Sequence, residues 1–316
     1  MDTAAYHIPV LASASLEGLG VGRKQAGTFV DATFGGGGHT KLMLAELNVQ
    51  GRVFGMDHDS DARDNIPQDD RFTLIPENFR YMRNFLRQEG VRHVDGILAD
   101  LGVSSHQFDT GSRGFSIRFE GPLDMRMNQS QPNSAADVVS SYSVSELTRV
   151  FRQYGELKRP DKAAYALESA RKEAPITRTT QLIDALSALA PRGKENQYFA
   201  QVFQALRIEV NDELGALKAM LASSIELLPE GGRLAIISYH SLEDRMVKHF
   251  MRSGNFDDII PRDLKGQALC PFHLLSRKAI VADEAEQESN PRARSARLRI
   301  AERTALSSHD IEMETA

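Results

Sequence analysis

Phe29-Val30-Asp31-Ala32-Thr33-Phe34-Gly35-Gly36-Gly37-Gly38-His39-Thr40 is the stretch that decides the fold. Its apolar lead-in predicts a buried strand, its glycines a tight turn, and Lys41-Leu42-Met43-Leu44-Ala45 the helix beyond. Glycine lets backbone N–H groups come close to a ligand, and a helix N-terminus favours negative groups. A second strand, Arg52-Val53-Phe54-Gly55-Met56, runs to Asp57, about where a nucleotide-binding fold places a carboxylate for ribose hydroxyls. The pairing points to a nucleotide-like cofactor. A dinucleotide fingerprint needs a further glycine three residues after its second. Counted from Gly35 or Gly36 that place falls on Thr40 or Lys41, which disfavours a nicotinamide cofactor.

Outward from this stretch the first hundred residues alternate strand and helix patterns: strand near 28–33, helix near 39–47, strand 52–56, helix near 78–89, strand 94–99. That is the βαβ rhythm of a parallel sheet. The third strand ends in Asp100-Leu101-Gly102-Val103-Ser104-Ser105. Ligands of open α/β sheets lie outside the carboxyl ends of the strands, so Asp31, Asp57 and Asp100 are expected to converge on one crevice. A lone Asp after a strand is usually a cap or turn residue; three in succession point to a site. An acid opening the turn, as Asp31 does, resembles the S-adenosylmethionine pocket of a methyltransferase.

From about 109 to 205 the pattern changes to a Gly-, Pro- and charge-rich loop followed by helical patterns at Val144–Tyr154, Lys162–Glu173 and Thr180–Leu189, with Ser145 and Thr179 as expected caps. This predicts a helical insert. The α/β rhythm returns with one or two helices over Val202–Leu228, then a strand Arg233–Tyr239 that runs into His240-Ser241-Leu242-Glu243-Asp244-Arg245. A last strand is expected near 295–301 and a flexible tail over 305–316. The domain reading is therefore a discontinuous core, 1–108 and 206–304, around an insert, 109–205, that is the candidate for substrate recognition.

Bulk properties exclude several classes. With 41% hydrophobic and 26% charged residues the chain has the composition of a globular domain. It has no 18-residue apolar run and no basic leader at its start, so neither a membrane span nor a signal peptide is expected. The single cysteine, Cys270, excludes an internal disulfide and fits a reducing cytoplasm. Cys270 and His273 have ligand-like spacing but lack the second cysteine of a typical zinc site, so no metal is expected. A net charge of −5 argues against a surface coated in phosphate-binding residues, leaving local patches to decide. The best such patch is Arg292, Arg294, Arg297, Arg299 and Arg303; the acidic stretch 283–288 before it reads as a surface loop.

Six uncommon strings occur in order: Asp31–His39, Asp100–Ser105, Gly121-Pro122-Leu123-Asp124-Met125-Arg126-Met127, Phe203-Gln204-Ala205-Leu206-Arg207-Ile208, Ser241–Arg245 and Asn290-Pro291-Arg292-Ala293-Arg294-Ser295-Ala296. Together they resemble the bacterial small-subunit ribosomal RNA cytosine-N4 methyltransferases, the MraW or RsmH family, over nearly the whole chain. The resemblance implies a Rossmann-like, S-adenosylmethionine-dependent methyltransferase core with an inserted all-helical domain. It also implies N4-methylation of one cytidine in the decoding region of 16S rRNA, within the small ribosomal subunit. Family cofactor contacts carry over onto Gly37, Gly38, His39, Asp57, Phe79, Asp100 and Gln107, with Asp100 also placed to handle the acceptor amine. Ser104, Ser105, Arg207, Asn211, His240, Ser241 and Arg294 are the substrate-binding candidates. Gln204, Arg207 and Asn211 fall on one helical face, with Phe203, Leu206, Val210 and Leu217 favouring the buried side. One departure is Phe199-Ala200-Gln201-Val202, where many members have a Pro-Ala-Thr-Arg-like string. An amino-methyltransferase acting on another nucleic acid, or a non-catalytic RNA-binding module on the same fold, remains an alternative on sequence alone.

Overall fold

The strand leading into the glycine run is β1, Thr28–Asp31, and it is the third strand of a sheet that has seven strands among the described residues. A computed structural model describes residues 9–306; most of the expected tail, 307–316, lies outside them. The other strands are β2 (Arg52–Met56), β3 (Phe72–Ile75), β4 (Gly96–Asp100), β5 (Arg233–Ser238), β6 (Phe272–Leu274) and β7 (Arg297–Arg303). Their order is β3-β2-β1-β4-β5-β7-β6, parallel from β3 to β5, with β7 antiparallel to both of its neighbours. Strand order reverses beside β1, between β1 and β4, the switch point where doubly wound sheets bind ligands.

The helices are α1 (Ala12–Leu19), α2 (Gly38–Glu46), α3 (Met82–Gln88), α4 (Ser105–Asp109), α5 (Ala135–Ser141), α6 (Val144–Gln153), α7 (Pro160–Glu173), α8 (Thr179–Leu186), α9 (Glu195–Asn211), α10 (Glu213–Leu227), α11 (Ser241–Ser253) and α12 (Glu284–Ser289). The described residues form two compact units, 9–102 with 215–306, and 103–214. In the first, successive residues of each central strand point to opposite faces. Val30, Phe54, Ile97 and Ile236 pack with residues of α3, α10 and α11; Phe29, Val53, Leu98 and Ile237 pack with residues of α1 and α2. Because both faces are covered, the strands are apolar without alternation. The result is a Rossmann-like α/β sheet.

The second unit, 103–214, is helical, with Leu147, Val150, Phe151, Leu167, Leu182, Val202 and Leu206 fully buried together. It is wider than the 109–205 segment read from the sequence, taking in α4 at its start and, at its end, the rest of α9, which continues unbroken to Asn211. Asp212 then takes a left-handed conformation (φ 45°), which separates α9 from α10.

Several local expectations need correcting. Strands β3 and β6, of four and three residues, were not expected at all. The acidic stretch is the helix α12, whose first turn is capped by the Asp283 side chain. Ser143 rather than Ser145 caps α6, in a capping box with Glu146, because Ser145 already lies inside the first turn. Thr179 is the buried first residue of α8; its hydroxyl donates to the Phe119 carbonyl and accepts the Gly121 N–H. The expected arginine patch is divided by burial, with Arg297 exposed and Arg299 and Arg303 buried on the same face of β7. Arg299 is buried against Asp244, and Arg303 is buried with its guanidinium donating to the carbonyls of Ile225 and Pro271. Among the described residues no helix is long and apolar enough to cross a membrane.

Candidate active site

The carboxyl ends of β1, β2 and β4 deliver Asp31, Asp57 and Asp100, with the glycine turn between β1 and α2. Gly37 caps α2 with φ 71°, and a Cβ there would come within 2.9 Å of the Phe34 ring, so no other residue fits without displacement. A Cβ on Gly36 would meet nothing within 4 Å, so the turn is open on that side. Gly38 opens α2 and abuts Pro9.

Each acid holds part of this turn. Asp31 is buried; its carboxylate accepts the Thr33 N–H at 3.3 Å and the Thr40 hydroxyl at 2.8 Å. Burial raises its carboxyl above the ordinary range, opposed chiefly by His39. Asp57 accepts the N–H of Gly35 on one oxygen and that of Asp59 on the other, both at 2.8 Å. Each carboxylate oxygen has a second lone pair, so both can still accept a ligand hydroxyl. Burial pushes Asp57 up to about 6, the two N–H donors oppose this, and the charges of Asp59 and Asp31 add to it.

Asp100 is fixed from two sides. Its N–H donates to Thr33 Oγ1 at 2.6 Å, and its Oδ1 accepts the Tyr239 hydroxyl at 2.7 Å. Burial raises it to about 6; His39 and the tyrosine hydrogen bond lower it, Asp31 and Glu243 raise it. Tyr239 follows β5, its own N–H donates to Glu243 Oε2 at 3.0 Å, and Glu243 is 2% exposed. Burial first, then Asp100, pushes the phenol well above its usual value.

The remaining candidates are placed as follows. His39 is buried in the first turn of α2 with Nε2 3.1 Å from the Val10 carbonyl oxygen. Phe79 lies past the end of β3 in a short turn capped by Asn78, half-buried against the sheet core. Its strand neighbours Asp57, so it belongs to the same carboxyl edge as the acids. His240 caps α11, its Nδ1 accepting the Glu243 N–H at 3.4 Å, and Ser241 is exposed at the helix start. Arg294 is exposed in the turn before β7. In the helical unit, Ser104 and Gln107 form the capping box of α4, which begins at Ser105. Arg207 pairs with Glu213 through two bonds of 2.8 and 3.0 Å. Buried Asn211 accepts the Met127 N–H and donates to the Met125 and Arg207 carbonyls, and Gln204 donates to the Tyr154 carbonyl. The structure thus brings Gly37, Gly38, His39, Asp57, Phe79 and Asp100 to one edge of the sheet, while the polar face of α9 is engaged within its own unit. Thr33, Tyr239 and Glu243 were not singled out from sequence; the position of Tyr239, one residue past a buried strand on the carboxyl edge, was the signal available.

The whole span from residue 4 to residue 304 matches the model of the MraW methylase family. The chain belongs to that family. A Parabacteroides distasonis protein named ribosomal RNA small subunit methyltransferase H is 50% identical over 301 residues, covering 95% of this chain and 98% of the relative. Another of the same name, from Cytophaga hutchinsonii, is 52% identical over 300 residues, covering 94% and 99%. Among solved structures, an rRNA methylase from Streptococcus thermophilus matches with a TM-score of 0.38 and 12% identity, over 92% of this chain and 95% of that one.

Proposed function

We propose that this chain methylates rRNA of the small ribosomal subunit, at N4 of a cytidine in the 16S decoding region, with S-adenosyl-L-methionine as the methyl donor. The observation that carries the reading is the set of three carboxylates around an open glycine turn at the switch point, in a chain that matches a methylase family along its length. The donor set suits this cofactor. Asp57 and Asp100, both raised to about 6, stand with buried Asp31 in a crevice where negative charges repel one another. A bound cation relieves that repulsion.

When bound, S-adenosyl-L-methionine supplies a methyl group already activated on a positive sulfur. Gly37 and Gly38 would admit its amino-acid part to the backbone, Asp57 would accept its ribose hydroxyls, and Phe79 would pack on its adenine. Gln107, His39 and the substrate candidates Ser104, Ser105, His240, Ser241 and Arg294 keep the roles implied by the family strings, whereas Arg207 is engaged by Glu213 and Asn211 by Met125 and Met127. The exocyclic amine of cytosine is a weak nucleophile because its lone pair is delocalised into the ring. A carboxylate oxygen of Asp100 accepting one amine N–H returns density to nitrogen, and alignment of the reacting atoms provides much of the acceleration. A base inside an RNA stack cannot enter such a crevice, so the cytidine is splayed out. A ribosomal subunit substrate supports a cytoplasmic location for the chain.

The test is transfer of labelled methyl from S-adenosyl-L-methionine to undermodified small subunits, with Asp100→Ala alongside and the product nucleoside identified by mass spectrometry. N4-methylcytidine formed by the natural chain, and reduced by about 10²- to 10⁴-fold in Asp100→Ala, is expected. Cofactor binding without transfer to rRNA would discard the substrate, and label on another nucleoside would discard N4. Equal rates on naked rRNA would remove the assembled subunit from the proposal.

A further inference from the structure

We propose that Tyr239 is a positioning residue, which holds the Asp100 carboxylate for the acceptor amine and is itself held by Glu243. The inference rests on the reading of Asp100 given above. The torsion that orients a carboxylate is broad, so its oxygens have no fixed direction unless a donor holds one of them. Tyr239 is that donor, at 2.7 Å from Oδ1, which fixes the direction in which Oδ2 and the second lone pair of Oδ1 are offered to a ligand. The tyrosine ring runs beside the turn that follows β4, its Cδ2 3.7 Å from where a Cβ on Gly102 would stand. The main chain around Asp100 is fixed independently, by the Asp100 N–H on Thr33 Oγ1 and by the Leu101 N–H on the Ile237 carbonyl at 2.9 Å.

Glu243 does two things to this pair. It sits in the first turn of α11, almost completely buried, and one of its oxygens accepts the Tyr239 N–H while the other lies 3.2 Å from His240 Nε2. That anchors the tyrosine at its main chain. Its negative charge also faces Asp100. The groups acting on Asp100 are therefore Asp31 from the end of β1, His39 from α2, Tyr239 from the end of β5 and Glu243 from α11. Arg292 acts on the tyrosine in turn. The tyrosine favours the ionised, hydrogen-bond-accepting form of Asp100, and Glu243 and Asp31 oppose it.

The two contacts therefore have opposite signatures, which a purely structural role lacks. Single-turnover methyl transfer is measured from pH 5 to 9 in Tyr239→Phe and Glu243→Gln, together with cofactor affinity and thermal melting. In Tyr239→Phe the plateau rate is expected to fall about 10-fold and the acid limb to move up by about one pH unit. Cofactor affinity should fall less than the rate. Glu243→Gln keeps an oxygen for the Tyr239 N–H but removes a charge facing Asp100, so its acid limb is expected to move down. Melting temperatures lowered in both variants with both limbs unmoved would overturn the inference. So would a Tyr239→Phe chain with the natural rate and profile. Asp100→Asn separates the two levels. If it keeps the natural rate, the reading of Asp100 falls too; if it is inactive while Tyr239→Phe is normal, only the role of Tyr239 falls.

Discussion

The acids at the carboxyl edge of the sheet and the acids Asp124, Asp137 and Glu146 of the helical unit are held in opposite ways. At the carboxyl edge of the sheet, burial raises Asp31, Asp57 and Asp100, and no arginine or lysine pairs with them among the described residues. In the helical unit burial alone would raise Asp124, but the Arg126 guanidinium, at 2.8 Å on each carboxylate oxygen, overrides it and holds the group below its usual range. Asp137 and Glu146 are lowered by the serines they meet in capping boxes. The three helical acids complete local structure. The edge acids stand where burial disfavours their charge, and such charge is the mark of a site that a ligand completes.

The largest effect expected from this contrast is at Asp57. Asp57→Ala removes acceptors for the ribose and the anchor of the Gly35 N–H, and should weaken S-adenosyl-L-methionine by on the order of 100-fold. Because burial pushes its carboxyl up to about 6, binding of a cationic cofactor to the natural chain should tighten as pH rises through that value and level off above it. For the ligand-free chain the sign is reversed. A folded-state value raised from 3.8 means that the stability linked to Asp57 is complete below about 4 and is lost as pH rises toward 6. Calorimetric titration between pH 5 and 8 checks the first statement; affinity flat across that range and unaffected by the substitution would remove Asp57 from the cofactor site.

A smaller effect, of different kind, is expected at Asn211. Its side chain ties α9 to the segment Met125–Met127 by accepting one N–H and donating to one carbonyl there. Asn211→Ala leaves those buried groups unpartnered, at a cost of about 2 kcal/mol. The melting transition should fall by several degrees while cofactor affinity stays within about twofold. Natural stability combined with lost methyl transfer to the small subunit would instead make Asn211 a substrate contact.

The same contrast explains which parts were legible in the sequence. Strands β1, β2, β4 and β5 were readable because burial on both faces leaves unbroken apolar runs such as Leu234-Ala235-Ile236-Ile237. Asp31, Asp57 and Asp100 were readable because a parallel sheet gathers the residues that follow its strands. Strand β3 was not, since Phe72-Thr73-Leu74-Ile75 is short and lies toward the sheet edge, where pairing with β2 defines it. The arginines of β7 misled for a related reason: charge in a sequence reads as surface, whereas Arg299 and Arg303 are buried by Asp244 and by main-chain carbonyls distant in sequence. Partners such as Tyr239 for Asp100, or the 125–127 segment for Asn211, lie far apart in the chain and follow from no local pattern.

The smallest effect expected is at a cap of the helical unit. Ser134 closes α5 in a capping box, accepting the Asp137 N–H while the Asp137 carboxylate accepts the N–H and hydroxyl of Ser134. Ser134→Ala removes the hydroxyl and should cost about 1 kcal/mol, read as a small drop in melting temperature with methyl transfer unchanged. The pH dependence carries the sign opposite to that of the crevice. Asp137 is held below 3.8 first by the Ser134 side chain, then by its N–H. The stability it contributes is therefore present above about 4 and is lost as pH falls through the lowered value. Melting curves from pH 2.5 to 7 should show the natural chain losing its advantage over Ser134→Ala at the acid end. An advantage that instead grows on acidification would mean that Asp137 is not drawing its stability from the cap. The contrast between acids that complete a helix and acids that await a ligand would then fail at the residue where it is easiest to measure.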